Sequence, residues 1–227
     1  MVTALQSPRA FTLEDIRKRA TSLYVLISWL HIPAAALIAL NARNDWLIPA
    51  LVLAVVAILA TLCARLLPSS SLQRCLIAVM LTAAPIVFVY AGRGDSSGFS
   101  GHGDWQIDYH MYFFAIFAML VGYVDWRPIV ASAGLTAAHH LILDFVAPAA
   151  VFPQEGLDRV LLHALCVVAE CSVLIWITST IKALFFRIDE LMDFTTKATA
   201  EAIADSIAEK AALERELALL REGSLHG

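Results

Sequence analysis

Six stretches of this chain are long and apolar enough to cross a bilayer: about 22–41, 47–67, 73–92, 107–124, 127–147 and 158–183. A spanning helix needs roughly 20 mostly apolar residues. Hydrocarbon offers no water to satisfy backbone N–H and C=O groups, so the backbone must bond to itself. The reading is an all-α, polytopic membrane protein with six transmembrane helices. Composition agrees: 59% of the 227 residues are hydrophobic and 16% are charged, where soluble domains carry roughly a quarter charged residues. No basic stripe with interleaved aromatics is present, which argues against nucleic acid as a partner. The N-terminus lacks the apolar run and cleavage site of a signal peptide. Cys63, Cys75, Cys166 and Cys171 lie in or beside apolar segments without CxxC spacing. They read as small buried hydrophobes, not as a disulfide framework.

Basic residues set the orientation. Arg9, Arg17, Lys18, Arg19, Arg65, Arg74, Arg127, Lys182 and Arg187 gather on one side of the expected spans. Arg43, Arg93 and Arg159 lie on the other, accompanied by Asp45, Asp95, Asp104, Glu155 and Asp158. The positive side is cytoplasmic, which puts both termini inside. Three regions follow. Residues 1–20 form an amphipathic cytoplasmic segment, in which Thr12 and Asp15 approximate a capping box. Residues 21–183 form the six-helix membrane domain. Residues 184–227 form a cytoplasmic helix. Leu184, Ile188, Leu191, Ala198, Ala202, Ile207, Leu213, Leu217 and Leu220 recur there at mostly helical spacing. That pattern predicts that the last span continues into a coiled coil, through which two copies of the chain pair. Pro33 and Pro85 are expected to break their helices locally.

Five histidines interrupt the apolar segments: His31, His110, His139, His140 and His163. An ionisable ring in hydrocarbon is costly without a partner. At about 1.5 Å per helical residue, the topology sets all five in the outer half of the bilayer. Neutral imidazoles on facing helices suit a metal site. Imidazole favours copper, zinc or iron over magnesium or calcium. Five rings exceed the needs of one tetrahedral ion and are enough for a dinuclear site. They also allow a haem b with two axial histidines, and the absence of CxxCH excludes covalent haem. Asp108, Asp144 and Tyr112 are candidates for further ligands or for orienting the rings. Asp144 follows His140 by four residues and so shares its helix face. Glu170, seven residues after His163 and in mid-span, is a candidate relay toward the cytoplasm.

The run DYHMYFFAIFAMLVGYVDWRP, then HHLILDF, then LLHAL, with WLHIP in the first span, resembles a known group. This is the multi-span sensor region ahead of bacterial chemotaxis-receptor and diguanylate cyclase output modules. The matching positions are Asp108, His110, Phe113 with Phe114, Tyr123 with Asp125-Trp126-Arg127, His139-His140 and His163. The chain departs at Tyr112, where that group tends to carry a second histidine. The resemblance spans essentially residues 20–183. It implies sensing and signal transfer in a bacterial inner membrane, with a cytoplasmic output module as partner, and not catalysis.

The expected function is therefore a membrane-integrated sensory domain. Its histidine-rich site reports metal, redox or small-ligand status to the cytoplasmic coiled coil. A membrane oxidoreductase using the same cluster is the alternative. A metal or proton transporter using Glu170 ranks third, since no second polar layer lies toward the cytoplasm.

Overall fold

The computed structural model of the chain describes residues 12–93, 105–146 and 157–224. Apart from short turns these are helical, and no strand occurs among them. The order is α1 (Leu13–Asn41), α2 (Leu47–Leu66), α3 (Ser71–Ala91), α4 (Trp105–His110), α5 (Tyr112–Leu120), a 3-10 turn (Val121–Tyr123), α6 (Trp126–Val146) and α7 (Leu157–Ser224). Two compact units result, Met1–Lys182 and Ala183–Gly227.

Four described helices are long and apolar enough to span a membrane: α1, α2, α3 and, within α7, Leu161–Arg221. This makes the chain a membrane protein by the character of its helices. The fourth expected segment is not one helix. It breaks at Met111, whose N–H bonds to Asp108 O at 3.0 Å, while Phe114 N–H bonds to Met111 O at 3.2 Å. These three-residue bonds tighten the turn directly after His110. The fifth segment folds as a 21-residue helix, α6.

The start of α1 follows its sequence signature. Thr12 Oγ1 accepts from Asp15 N–H at 3.2 Å, and Asp15 Oδ2 accepts from Thr12 N–H at 3.0 Å. From Leu13 the helix runs without a break to Asn41, so these first residues belong to the same helix as the first span. The expected breaks at the prolines are corrected. Pro33 lies inside unbroken α1 and Pro85 inside unbroken α3. Each ring forfeits one backbone bond, and buried residues on both flanks hold the helix together: His31 and Ala35 about Pro33, Ala84 and Phe88 about Pro85.

Helix α3 lies against α1, α2, α4, α5 and α6, and is the centre of the unit. Small residues allow the backbones to come close: Ala35, Ala57, Ala60, Ala78 and Ala84 are essentially inaccessible. Ile77 and Leu81 of α3 meet Ile116, Phe117 and Leu120 of α5 and Ile129 of α6 in the main core cluster. Helix α7 joins this cluster through Cys171, with Val167, Leu174 and Ile175 beside it. Its other face is open, with Leu161, Leu165, Val168, Val173 and Trp176 all exposed. In the second unit every large apolar residue of the expected seam is exposed, from Leu184 and Ile188 to Leu217 and Leu220.

A polar latch closes the end of the bundle between α5 and α6. Arg74 and Asp125 are both almost fully buried and meet at 2.8 Å, with a second bond from Arg74 Nε at 3.2 Å. Arg127 N–H donates to the other carboxylate oxygen at 3.2 Å, and Ser71 Oγ lies 3.4 Å from the first. Arg17 of α1 donates to the carbonyls of Tyr123 and Val124, both at 3.1 Å. Val124 lies in the left-handed region at φ 49° and ψ 44°, a strained place for a β-branched residue. Such strain persists where surrounding bonds over-determine the turn. Tyr24 reinforces it by donating to Met119 O and meeting the Tyr123 ring edge-on at 4.9 Å. Arg17 and Arg74, which the sequence marked only as orientation charges, are thus structural groups, and Arg127 joins them through its backbone N–H while its side chain stays exposed.

Burial pushes the Asp125 carboxyl up, but the Arg74 and Arg127 hydrogen bonds and charges outweigh it and hold it below its ordinary value. The stability this adds is present above the usual carboxylate range and lost as pH falls through the lower folded value. Arg74→Ala should destabilise the protein by about 3–5 kcal/mol, because it strands a buried carboxylate. Asp125→Asn should cost less, because the amide keeps an acceptor and leaves no buried anion. Denaturant titration of the purified variants in detergent measures both.

Candidate functional site

The break after His110 sets that ring, 1% exposed, into the middle of a histidine cluster. His110 ends α4, His139 and His140 lie on α6, and His163 lies on α7. Ring centres of His110 and His140 are 5.7 Å apart and nearly parallel. His163 stands 6.1 Å from His110 and 5.4 Å from His140. His139 is 5.2 Å from His140. Neighbours on a helix point about 100° apart, and the two rings divide accordingly. His140 is buried and meets both His110 and His163. His139 is half-buried, and its Nε2 has no hydrogen-bond partner.

Aromatic rings wall the cluster. Phe113 stands 6.0 Å from His139, 5.8 Å from His140 and 6.3 Å from His110. Phe114 stands 6.4 Å from His163. Their spacing of three and four residues from His110 was the available sequence signal for a wall on the same face. Below the cluster, Thr82 of α3 donates to Ser132 of α6 at 2.8 Å, a cross-helix bond that apolar periodicity does not mark.

His31 occupies a different setting. Its Nε2 lies 2.8 Å from Tyr112 Oη, and its ring meets Phe88 and Tyr112 edge-on at 5.4 and 5.5 Å. No described contact joins it to the other four rings; its partner Tyr112 lies two residues along the chain from His110. Tyr112 is thereby a partner of His31. Asp108 is exposed at the start of α4. The Asp144 side chain lies outside the described residues. Glu170 has a buried Oε2 without a hydrogen-bond partner, and Thr178 Oγ1, eight residues on, is in the same condition.

The four rings supply neutral nitrogen donors in an apolar wall, a set suited to copper, zinc or iron. With metal–nitrogen bonds of about 2 Å, two imidazoles on one tetrahedral ion hold their centres roughly 5 Å apart, and wider angles stretch this to about 6 Å. The observed spacings fall in that range. The nitrogens themselves do not converge: among the described residues no three His, Cys, Asp or Glu side chains are set to hold an ion. Ring spacing fits a metal, and ring rotation is needed to bring the nitrogens onto it.

Comparison with family models, with curated proteins and with solved structures finds no match to this chain.

Tyr112→Phe removes the hydroxyl and leaves His31 Nε2 buried without that partner. The cost should be about 1–3 kcal/mol. His31→Phe should cost less, because it removes the imidazole that needs satisfying. Thermal melting of the single variants and the double variant isolates the pair.

Proposed function

We propose that this chain is a membrane-integrated sensory domain that holds a transition metal among its histidines and reports its status along α7. The observation that carries this reading is the meeting of four imidazoles from α4, α6 and α7 within one contact network. Packing alone gives no reason to gather four such rings in an apolar wall. In this reading six segments cross the bacterial inner membrane with both termini inside, and the imidazole layer lies in the outer leaflet. His110, His139, His140 and His163 hold the metal, and Tyr112 couples His31 to them.

The chain's own residues provide the transmission. The rings must turn to bring their nitrogens together, and His163 is fixed to α7. Its inner face continues through Val167, Glu170, Cys171, Leu174 and Thr178, so a shift at His163 moves a stripe that packs on the core. Glu170 is the polar member of that stripe. The exposed apolar seam of the second unit then pairs with a second copy and passes the change to a cytoplasmic output module, as in the receptors the sequence resembles.

Metal analysis of the purified protein, with melting curves before and after chelation, tests the site. About one or two ions of copper, zinc or iron per chain are expected, with a fall in Tm on chelation. His140→Ala and His163→Ala should lose the metal. A protein free of metal, indifferent to chelator and unchanged by both substitutions would remove the basis of the proposal.

A further inference from the structure

Away from the histidines, the N-terminal part of α1 and the C-terminal end of α2 enclose an open groove of about 520 Å³. Lys18 and Val25 of α1 line one side, Ala64 and Arg65 of α2 the other, and Ser69 the turn that follows. The wall thus carries two cations and no carboxylate. Several of its polar groups are already engaged. Gln73 Nε2 donates to the last carbonyls of α2, those of Cys63, Ala64 and Leu67, at 3.4, 3.3 and 3.0 Å. Ser22 and Thr61 donate to the helix carbonyls of Lys18 and Ala57. The two cations are not engaged in this way. Among the described residues, neither Lys18 nor Arg65 enters an ion pair. Glu14 and Asp15 precede Lys18 by about one turn, but neither lines the groove, and Asp15 is taken up by Thr12. Two like charges lining one groove without a counter-ion favour an anion between them.

The rest of the lining narrows the choice of anion. No aromatic ring is part of it, so a nucleobase has nothing to stack on. Val25, Ala64 and Leu67 give the groove an apolar side. Beside them on α1 and α2, Leu23, Leu26, Leu62 and Leu66 are exposed. Both helices are long and apolar enough to cross a membrane, and the groove lies at their ends, where head groups meet water. Inorganic phosphate would use only the cations. A phosphodiester carried on acyl chains uses the cations and the leucines together.

We infer that this groove binds the head group of an anionic phospholipid, its phosphate oxygens facing Lys18 and Arg65 and its acyl chains lying along the exposed leucines of α1 and α2. A choline head group would bring a third positive charge to the same place, so the site selects lipids whose head group has no cation. Thr21, in the same wall, lies 3.5 Å from Tyr123 Oη, so an occupied groove also braces the turn that ends at Val124. The site needs neither the histidine cluster nor a metal.

The test titrates the full chain in neutral detergent with dioleoylphosphatidylglycerol and counts bound lipid by native mass spectrometry. One molecule should bind saturably, about tenfold or more tighter than dioleoylphosphatidylcholine, and raise Tm. Lys18→Gln and Arg65→Gln should each weaken binding about fivefold, and together about thirtyfold. Both side chains are exposed, so Tm without lipid should not change. Arg187→Gln, which removes the same charge outside the groove, should bind as the wild type does. Equal affinity for the two lipids, wild-type affinity in the double variant, or an equal loss in Arg187→Gln would overturn the inference. Inorganic phosphate alone should leave Tm unchanged. A rise equal to that with the lipid would mark a site for free anions and overturn it as well.

Discussion

The buried pair between Arg74 and Asp125 organises the rest of the unit. Two charges out of water tolerate each other only when geometry and further hydrogen bonds compensate their desolvation. Here the compensation comes from the start of α3 and the start of α6, while Arg17 at the start of α1 holds the carbonyls of Tyr123 and Val124 beside the pair. Each contributes a bond to the same four-residue turn. The turn in turn holds Val124 in a conformation that it would not choose alone. The alanines that let helices come close add little shape to fix their register. This polar point supplies the missing specificity.

The far end of the unit is built on different physics. Among the described residues the neighbours of the histidine cluster are phenylalanines. Its order comes from where three helices deliver four rings, and from the break at Met111 that lets α4 end on His110. Helix α7 is the least embedded contributor. It touches the core along one narrow stripe and leaves a cavity toward α6. Of the helices that deliver the rings, α7 is therefore the one whose movement would disturb least of the core.

Much of the helical architecture was legible in the sequence. Apolar length marked α1, α2, α3 and the membrane part of α7, and the Thr12 capping box marked where α1 begins. The break at Met111 was not legible, because no proline or glycine stands within residues 105–121 to mark it. The prolines misled for a related reason: local propensity foretells a break, and tertiary packing overrides it. The histidines were conspicuous because of the cost of burying them. That cost does not say which rings meet: the hydrogen-bond partner of His31 is Tyr112. The latch stayed hidden because Arg74 and Arg127 sit where positive charges are expected at a membrane face. Charge counting cannot tell an exposed guanidinium from a buried one.

The left-handed turn at Val124 also works as an angular index. Helix α6 leaves it with a fixed starting direction, and His139 and His140 follow about 13 residues later, roughly 20 Å along the axis. Every residue added or removed within α6 between Trp126 and His139 would rotate the two histidines by about 100° relative to that turn. One such step would carry His140 away from His110 and His163 without altering either ring or its helix. The angular setting of the imidazoles is thus fixed at the opposite end of α6, by residues that never touch them.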